Sequence, residues 1–270
     1  MIRKLCESDR QQTLEFLKPQ AAENLFIIGD IEIWGFDADF QELWGEFDEN
    51  NQLLVVLLRY YQHFTVSSPN GGSADELMDI IKSYEKASIN GTDKALKSLE
   101  VYISEEEYSK RDCFFAECKK ESLVAPGLDK QLEERIQILT KQDIPAIITL
   151  RNSISEFSNL GTLAEQEEMQ VNNLETGAGR SYFISEDNQM ASVVSTAAEN
   201  QYSAMVIGVC SLPQYRNKGY ATILLVKMLG DIFIEKESAC LFYNNPKAGD
   251  IYKRIGFLDI GLWRTYTHKE

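Results

Sequence analysis

Apolar and polar positions change period repeatedly along this chain, and the changes lay out its elements. In the second half, residues 181–185 and 190–196 read as two strands around the turn EDNQ. Residues 202–212 follow as a third, with Val206, Ile207 and Val209 as its apolar centre. Ile223, Leu224, Val226, Met228, Leu229 and Phe233 then fall close to helical spacing. Residues 239–243 predict a compact apolar strand, 246–255 a short helix, and 257–262 and 264–267 two closing strands. Residues 147–175 read as helical and loop-rich, with Glu165, Glu167 and Glu168 on a solvent face. This order predicts an α/β (α+β) fold, a mixed and mostly antiparallel sheet flanked by helices, and not a doubly wound one.

The chain offers that plan twice. Ile136, Ile138 and Leu139 make a short strand, Asp143 sits near a helix N-cap, and Pro145 falls in the first turn. The beginning matches: residues 2–5 as strand, Ser8 or Asp9 as cap, then a helix around Leu14, Phe16 and Leu17. Between the two plans, ESLVAPGLDKQ breaks the periodicity with Pro126 and Gly127. A diverged tandem repeat is the expectation, divided into 1–125 and 126–270.

Composition removes whole classes. No apolar run nears the roughly 18 residues of a membrane span, and 53–58 has only strand length. The opening MIRKLCESDR lacks the apolar stretch of a secretory signal. Five cysteines without metal spacing suit reduced thiols and a cytoplasmic protein, and two histidines, His63 and His268, build no histidine-rich metal site. The net charge is −15, with 14 Lys+Arg against 25 Asp+Glu in residues 1–130. So acidic a chain lacks the cationic surface that nucleic-acid binding needs. The acidic first half serves solubility, or attracts a cationic substrate.

The most informative stretch is VIGVCSLPQYRNKGYATILLVKML. A buried strand ends at Leu212, Pro213 stops ladder pairing, and RNKGYA leads into an amphipathic helix. The first helical turn carries unpaired N–H groups and the positive end of the dipole. Gly219 admits a ligand close to the backbone, Ala221 keeps the next turn small, and Arg216 and Lys218 add charge. These are the parts of a pyrophosphate cradle, although neither G-x-G-x-x-G nor G-x-x-x-x-G-K-[ST] is present.

Here the sequence resembles the GNAT superfamily of N-acetyltransferases, whose acetyl-CoA loop reads [R/Q]-x-x-G-x-[G/A]. Arg216, Asn217, Lys218, Gly219, Tyr220 and Ala221 fit it in the strand–loop–helix context. Roughly 25 residues later, Asn245, Ala248, Tyr252, Gly256 and Phe257 fit N-x-x-A-x-x-x-Y-x-x-x-G-F. The resemblance covers residues 132–270. It implies direct acetyl transfer from acetyl-CoA to a primary amine of a small molecule or peptide, without a covalent enzyme intermediate and without a metal. It places Cys210, Ser211, Leu212, Thr222 and the loop hexamer on the cofactor, with Asn245 on the pantetheine arm. The strand N–H groups near Cys210, Ser211 and Leu212 would face the thioester oxygen, and Tyr252 would meet the departing thiolate as the catalytic group. Cys210 itself reads as a small core residue rather than a nucleophile.

No base is named. The strand before the loop has no carboxylate; Glu199, at the turn entering it, is either a base acting through water or a solvent-exposed turn residue. In the first half, SSPNGGSADELM stands where a phosphate loop belongs, but the spacing is missing, and Asp75 and Glu76 would repel phosphate. That half reads as a degenerate GNAT-like domain shaping an acceptor cleft, with Trp34, Trp44 and Tyr60 either lining it or packing in the core. A non-catalytic acetyl-CoA-binding regulatory module is the alternative function. The acceptor, the oligomeric state and any ligand of the first half are left open by the sequence.

Overall fold

The computed structural model describes residues 1–125, 127, 129–157 and 161–269. Pro126, half of the expected breakpoint, lies outside the described residues. In chain order the first half holds β1 (Ile2–Lys4), α1 (Arg10–Leu17), α2 (Leu25–Trp34), β2 (Gln41–Phe47), β3 (Leu53–Tyr60), β4 (His63–Ser67), α3 (Ala74–Lys82), β5 (Ser88–Thr92), α4 (Asp93–Leu96) and β6 (Tyr108–Lys119). The second holds α5 (Lys130–Glu133), β7 (Gln137–Ile138), α6 (Ile144–Asn152), α7 (Leu163–Thr176), β8 (Ser181–Glu186), β9 (Gln189–Ala197) and β10 (Ser203–Ser211). It ends with α8 (Tyr220–Glu235), β11 (Ser238–Tyr243), α9 (Pro246–Ile255) and β12 (Leu258–His268). The two closing strands expected at 257–262 and 264–267 are one, because no turn residue interrupts the ladder that Trp263 to Tyr266 make with Ile89 to Thr92.

By compactness the chain forms two units, Met1–Phe115 with Asp259–Glu270, and Ala116–Leu258. The last strand thus completes the first unit, whose strands run β1-β2-β3-β4-β5-β12. Arg264 anchors it, donating to both Asp112 oxygens at 2.8 and 2.7 Å and reaching Glu100 as well. In this unit Leu77, Met78 and Ile81 of α3 pack on Val55, Leu57, Phe64, Val66 and Ile89. Trp34 is half-exposed and meets Phe40 edge-on, Phe40 in turn meets Tyr60, and Trp44 packs against Phe64 and Tyr84.

The doubled plan has a physical counterpart at the two starts. Cys6 N–H donates to Asp9 Oδ2 at 3.0 Å, and Thr140 N–H donates to Asp143 Oδ2 at 2.8 Å. Each aspartate closes a capping box over a single 3₁₀ turn that runs directly into an α-helix. Asp143 therefore serves the turn before α6 rather than capping α6 with its side chain.

Asp30 lies in the last turns of α2, where burial pushes its carboxyl up to about 7. A raised carboxylate pKa means that the folded state holds a proton which the unfolded chain, titrating near 3.9, releases. Stability is therefore lost as pH rises from about 4 through 7, and the penalty is complete above that window. Asp30→Asn is expected to raise Tm by several degrees at pH 8 and to change it little at pH 4, in thermal unfolding at both pH values.

In the second unit the strands run β11-β10-β9-β8-β7. Asp187 and Asn188, both at positive φ, make the β8–β9 turn. Helix α8 covers one face: Ile223, Leu224, Met228 and Leu229 are buried against Ile184, Val194, Val206 and Leu241. Helices α6 and α7 cover the other, where Ile144, Ile147 and Ile148 meet Phe183, Val193 and Cys210. Among the described residues, no helix is long and apolar enough to cross a membrane.

Candidate active site

The site begins where two parallel strands part. β10 pairs with β11 from Ser203/Ser238 to Val206/Leu241 and no further, although both strands continue. A bulge between Ile207 and Cys210, with Gly208 at φ +61°, bends β10 at that point. The gap that opens is bordered by Cys210, Ser211 and Leu212 on one side and by the start of α9 on the other.

The three strand residues are not equivalent. Leu212 N–H donates to the Ala191 carbonyl at 2.9 Å, so it belongs to the ladder with β9. Antiparallel pairs alternate between bonded and non-bonded. Hence Ser211, opposite Ser192, turns its N–H away from β9 and toward the gap. Its carbonyl accepts Arg216 Nε at 3.3 Å. Of the three expected donors to a thioester oxygen, Ser211 has the free direction and Leu212 does not. Cys210 is buried, its carbonyl accepts Ser192 Oγ at 2.9 Å, and burial pushes its thiol up to about 12. It is a protonated core residue at neutral pH, as the sequence reading expected.

After Pro213 a 3₁₀ turn leads to the loop hexamer, of which Arg216, Asn217, Lys218 and Gly219 are exposed. Asn217 and Gly219 both take left-handed backbone, at φ 63° and 81°. These two left-handed residues shape the turn that enters the 16-residue α8, whose first turn has N–H groups without intrahelical partners, a feature that suits an anion. A Cβ built on Gly219 meets nothing within 4 Å, so the space beside the helix start is open, as a diphosphate requires. Ala221 and Thr222 fill the first turn. The side chains of the loop serve it unequally. Arg216 lies 3.8 Å from Glu156 at the surface. Lys218 Nζ donates to Glu186 Oε1 at 3.0 Å, and the buried Tyr220 donates its hydroxyl to the same carboxylate. With Arg135 also at 3.1 Å, the Glu186 carboxyl is held down to about 2, chiefly by the Tyr220 bond. Lys218 and Tyr220 are thus tied to the hairpin turn, and what the hexamer presents to the opening is backbone and Arg216. Glu186 carried no sequence signal, because only folding brings the β8 end to the loop.

Across the gap, Asn245 Oδ1 accepts the Lys247 N–H at 3.0 Å and caps α9. Ala248 and Tyr252 follow on one face of that helix. Tyr252 is buried between the Tyr243 and Phe257 rings, with no hydrogen-bond partner for its hydroxyl among the described residues. Burial first, and then the neighbouring Cys210 sulfur, push its phenol up to about 12. Gly249 and Gly256 let the helix sit this close: a Cβ would strike the Tyr243 ring at 2.4 Å and the Ser122 carbonyl at 2.0 Å.

Glu199 fits neither of its expected roles. Its side chain is 3% exposed and holds Arg180 through two bonds of 2.9 and 2.6 Å, with the Thr196 hydroxyl and Lys236 nearby. It sits before the start of β10, a strand-length of roughly 25 Å from Ser211. In the first unit, the helix start after SSPNGG is occupied from within. Glu46 accepts both the N–H and the hydroxyl of Ser73, at 2.9 and 2.7 Å, and a Cβ on Gly72 would collide with that carboxylate. Among the described residues no group of His, Cys, Asp or Glu is arranged to hold a metal ion.

Residues 147–257 match the model of the acetyltransferase (GNAT) family. A search of curated proteins finds no match. Among solved structures, the GCN5-related N-acetyltransferase from Sphaerobacter thermophilus is 14% identical with a TM-score of 0.60, covering 100% of this chain and 95% of that one. The GCN5-related N-acetyltransferase from Kribbella flavida is also 14% identical, with a TM-score of 0.58 over 80% and 87%. A tandem GNAT protein from the clavulanic acid biosynthesis pathway is 11% identical, with a TM-score of 0.56 over 99% and 97%. At these identities the likeness speaks for the fold.

Proposed function

We propose, on the match of residues 147–257 to the acetyltransferase (GNAT) family, that this chain is an N-acetyltransferase. It would carry acetyl from acetyl-CoA directly to a primary amine of a small molecule or peptide, with its site in the second unit. The single observation that carries this reading is the end of β10–β11 pairing at Val206/Leu241, with open space beside Gly219 at the α8 start and Tyr252 near enough to Cys210 of β10 to interact with it.

Acetyl-CoA supplies the activated thioester. The N–H groups of residues 217–221, with Arg216, hold the diphosphate at the α8 start. Ser211 N–H donates to the thioester oxygen as charge grows there. Tyr252 stays protonated at neutral pH and donates to the sulfur as the C–S bond breaks. Its pKa near 12 exceeds that of an ordinary thiol, about 8.5, so it stabilises the thiolate by a hydrogen bond rather than by full proton transfer. No carboxylate is assigned as base: the acceptor amine attacks in its neutral form, the new C–N bond replaces the C–S bond, and the proton that nitrogen sheds passes by way of solvent to the departing CoA thiolate.

The first unit is proposed to hold no acetyl-CoA, since Glu46 already satisfies the Ser73 end of α3. Calorimetric titration of the intact chain with acetyl-CoA is expected to give one site per chain, and an amine panel to release free CoA. Two sites would overturn the reading of the first unit. No binding at millimolar ligand would overturn the acetyltransferase reading itself.

A further inference from the structure

Asp30 is a carboxylate without a counter-ion in an aromatic setting. Helix α2 buries Ile27, Ile28 and Ile31, while Phe26, Asp30, Ile33 and Trp34 follow one another at helical spacing along another face. Phe26, one turn before Asp30, meets the Trp263 ring at 5.5 Å. Trp34, one turn after it, meets Phe40 edge-on at 5.3 Å, and Phe40 meets Tyr60 at 5.5 Å. Burial first, and then the nearby Asp30 charge, raise the Tyr60 phenol. Half-buried and flanked by these rings, the Asp30 carboxyl accepts no hydrogen bond and meets no cation among the described residues.

The cations of this region are committed elsewhere. Lysine and arginine are absent from Pro19 to Leu58, whereas α2 and the turn after it carry Asp30, Glu32, Asp37 and Asp39. Arg10 donates to the Ile31 carbonyl at 3.1 Å and holds Glu7. Arg59 donates to the Asp39 carbonyl at 3.2 Å and holds Glu42. A second acceptor stands beside Asp30. Gln41 is fully buried, and its Nε2 donates to the Asp30 and Gly35 carbonyls at 3.2 and 2.6 Å. Its Oε1 is buried with no partner among the described residues. Two neighbouring acceptors, one of them charged, thus lack a donor, a state that burial makes costly.

The rim of this cluster is open to solvent: Trp34 is 42% exposed and Tyr61 55%. Tyr61 stacks on Phe40 at 5.1 Å and is held at φ +52°, a left-handed backbone unfavourable for a residue with a Cβ. Aromatic faces attract cations, a carboxylate pairs with them, and acceptors without donors call for N–H groups. A primary ammonium meets all three demands. A quaternary ammonium has no N–H, and two oxygens are too few for Ca²⁺ or Mg²⁺.

We propose that Asp30 and the Gln41 amide oxygen, beside the rings of Trp34, Phe40 and Tyr60, form a site in the first unit for a primary alkylammonium, that of a free amine or of a lysine side chain. The site does not depend on the acetyltransferase reading. It gives a reason for keeping a carboxylate whose burial lowers stability above pH 7, since function and stability oppose each other at such positions.

The test is calorimetric titration of the intact chain at pH 8, where Asp30 is ionised, with diaminopentane and with an end-blocked Gly-Lys-Gly peptide. Both are expected to bind, and the tighter of the two names the source. Pentanol, which lacks the charge, and tetramethylammonium, which lacks the N–H, are expected to bind roughly 10-fold more weakly. Asp30→Asn is expected to weaken the diamine roughly 30-fold. Its Tm at pH 8 is higher, so the lost binding is not lost fold. Trp34→Leu costs roughly 3-fold. Glu49→Gln removes a charge from an exposed turn of the same acidic stretch and leaves binding as it was. No heat from either amine at tens of millimolar, binding that survives Asp30→Asn, an equal loss in Glu49→Gln, equal binding of tetramethylammonium, or a response that sodium chloride reproduces would each overturn the proposal.

Discussion

Gly219→Glu is expected to raise Kd for acetyl-CoA at least 100-fold while leaving a folded protein. Three facts combine. Gly219 holds φ +81° as the N-cap of α8, its side-chain direction opens onto empty space, and the first turn of a helix carries N–H groups without intrahelical partners. A glutamate in that place puts a carboxylate where the proposed site would hold a diphosphate, so the incoming anion would meet both repulsion and an occupied helix end. The fold suffers little, because the new side chain meets no protein atom within 4 Å of its Cβ. The left-handed backbone costs about 1–2 kcal/mol for a residue with a Cβ, a Tm loss of roughly 2–8 °C for a protein of this size. Gly219→Ala carries the same strain without the charge and is expected to bind much better than the glutamate variant. Calorimetry on both, beside their melting curves, separates the two effects. An unchanged Kd in Gly219→Glu would move the cofactor elsewhere.

Tyr252→Phe is the second. Removing the hydroxyl is expected to lower kcat about 100-fold, the usual loss when one donor to developing charge is deleted. Kd for acetyl-CoA is expected to be unchanged. The ring remains to pack between Tyr243 and Phe257, and no protein hydrogen bond is lost among the described residues, so the Tm holds. The phenol at about 12 also fixes a pH signature: Tyr252 keeps its proton up to pH 10, so kcat shows no alkaline fall from this group in that range. Single-turnover measurement with saturating acetyl-CoA reads the chemical step directly. Equal rates in Phe and wild type would remove Tyr252 from the mechanism.

Much of this candidate site is legible in the sequence. The hexamer Arg216 to Ala221 and the helix from Asn245 to Gly256 announce themselves because glycines at left-handed positions and a fixed four-residue helical spacing are local properties. The chain had to write them in sequence. Glu186 and Glu46 were not visible. One binds Lys218 and Tyr220 across 32 and 34 residues, the other holds Ser73 across 27. Nothing local distinguishes such a carboxylate from the many that face solvent.

Glu199 shows the same limit from the other side. As a polar residue in a turn it looked exposed, yet Arg180 and Lys236 converge on it from separate elements and bury it. Likewise the last strand looked like the end of the second half, and its pairing with β5 places it in the first unit. The sequence by itself determined the order of elements from β8 to α9, the glycine-containing loop before α8 and the capped start of α9, since each follows from short-range periodicity, capping and backbone freedom. The tertiary structure alone decided which strand completes which unit, which donor on β10 faces the gap, and which charges find partners. Those outcomes depend on contacts between residues far apart in the chain.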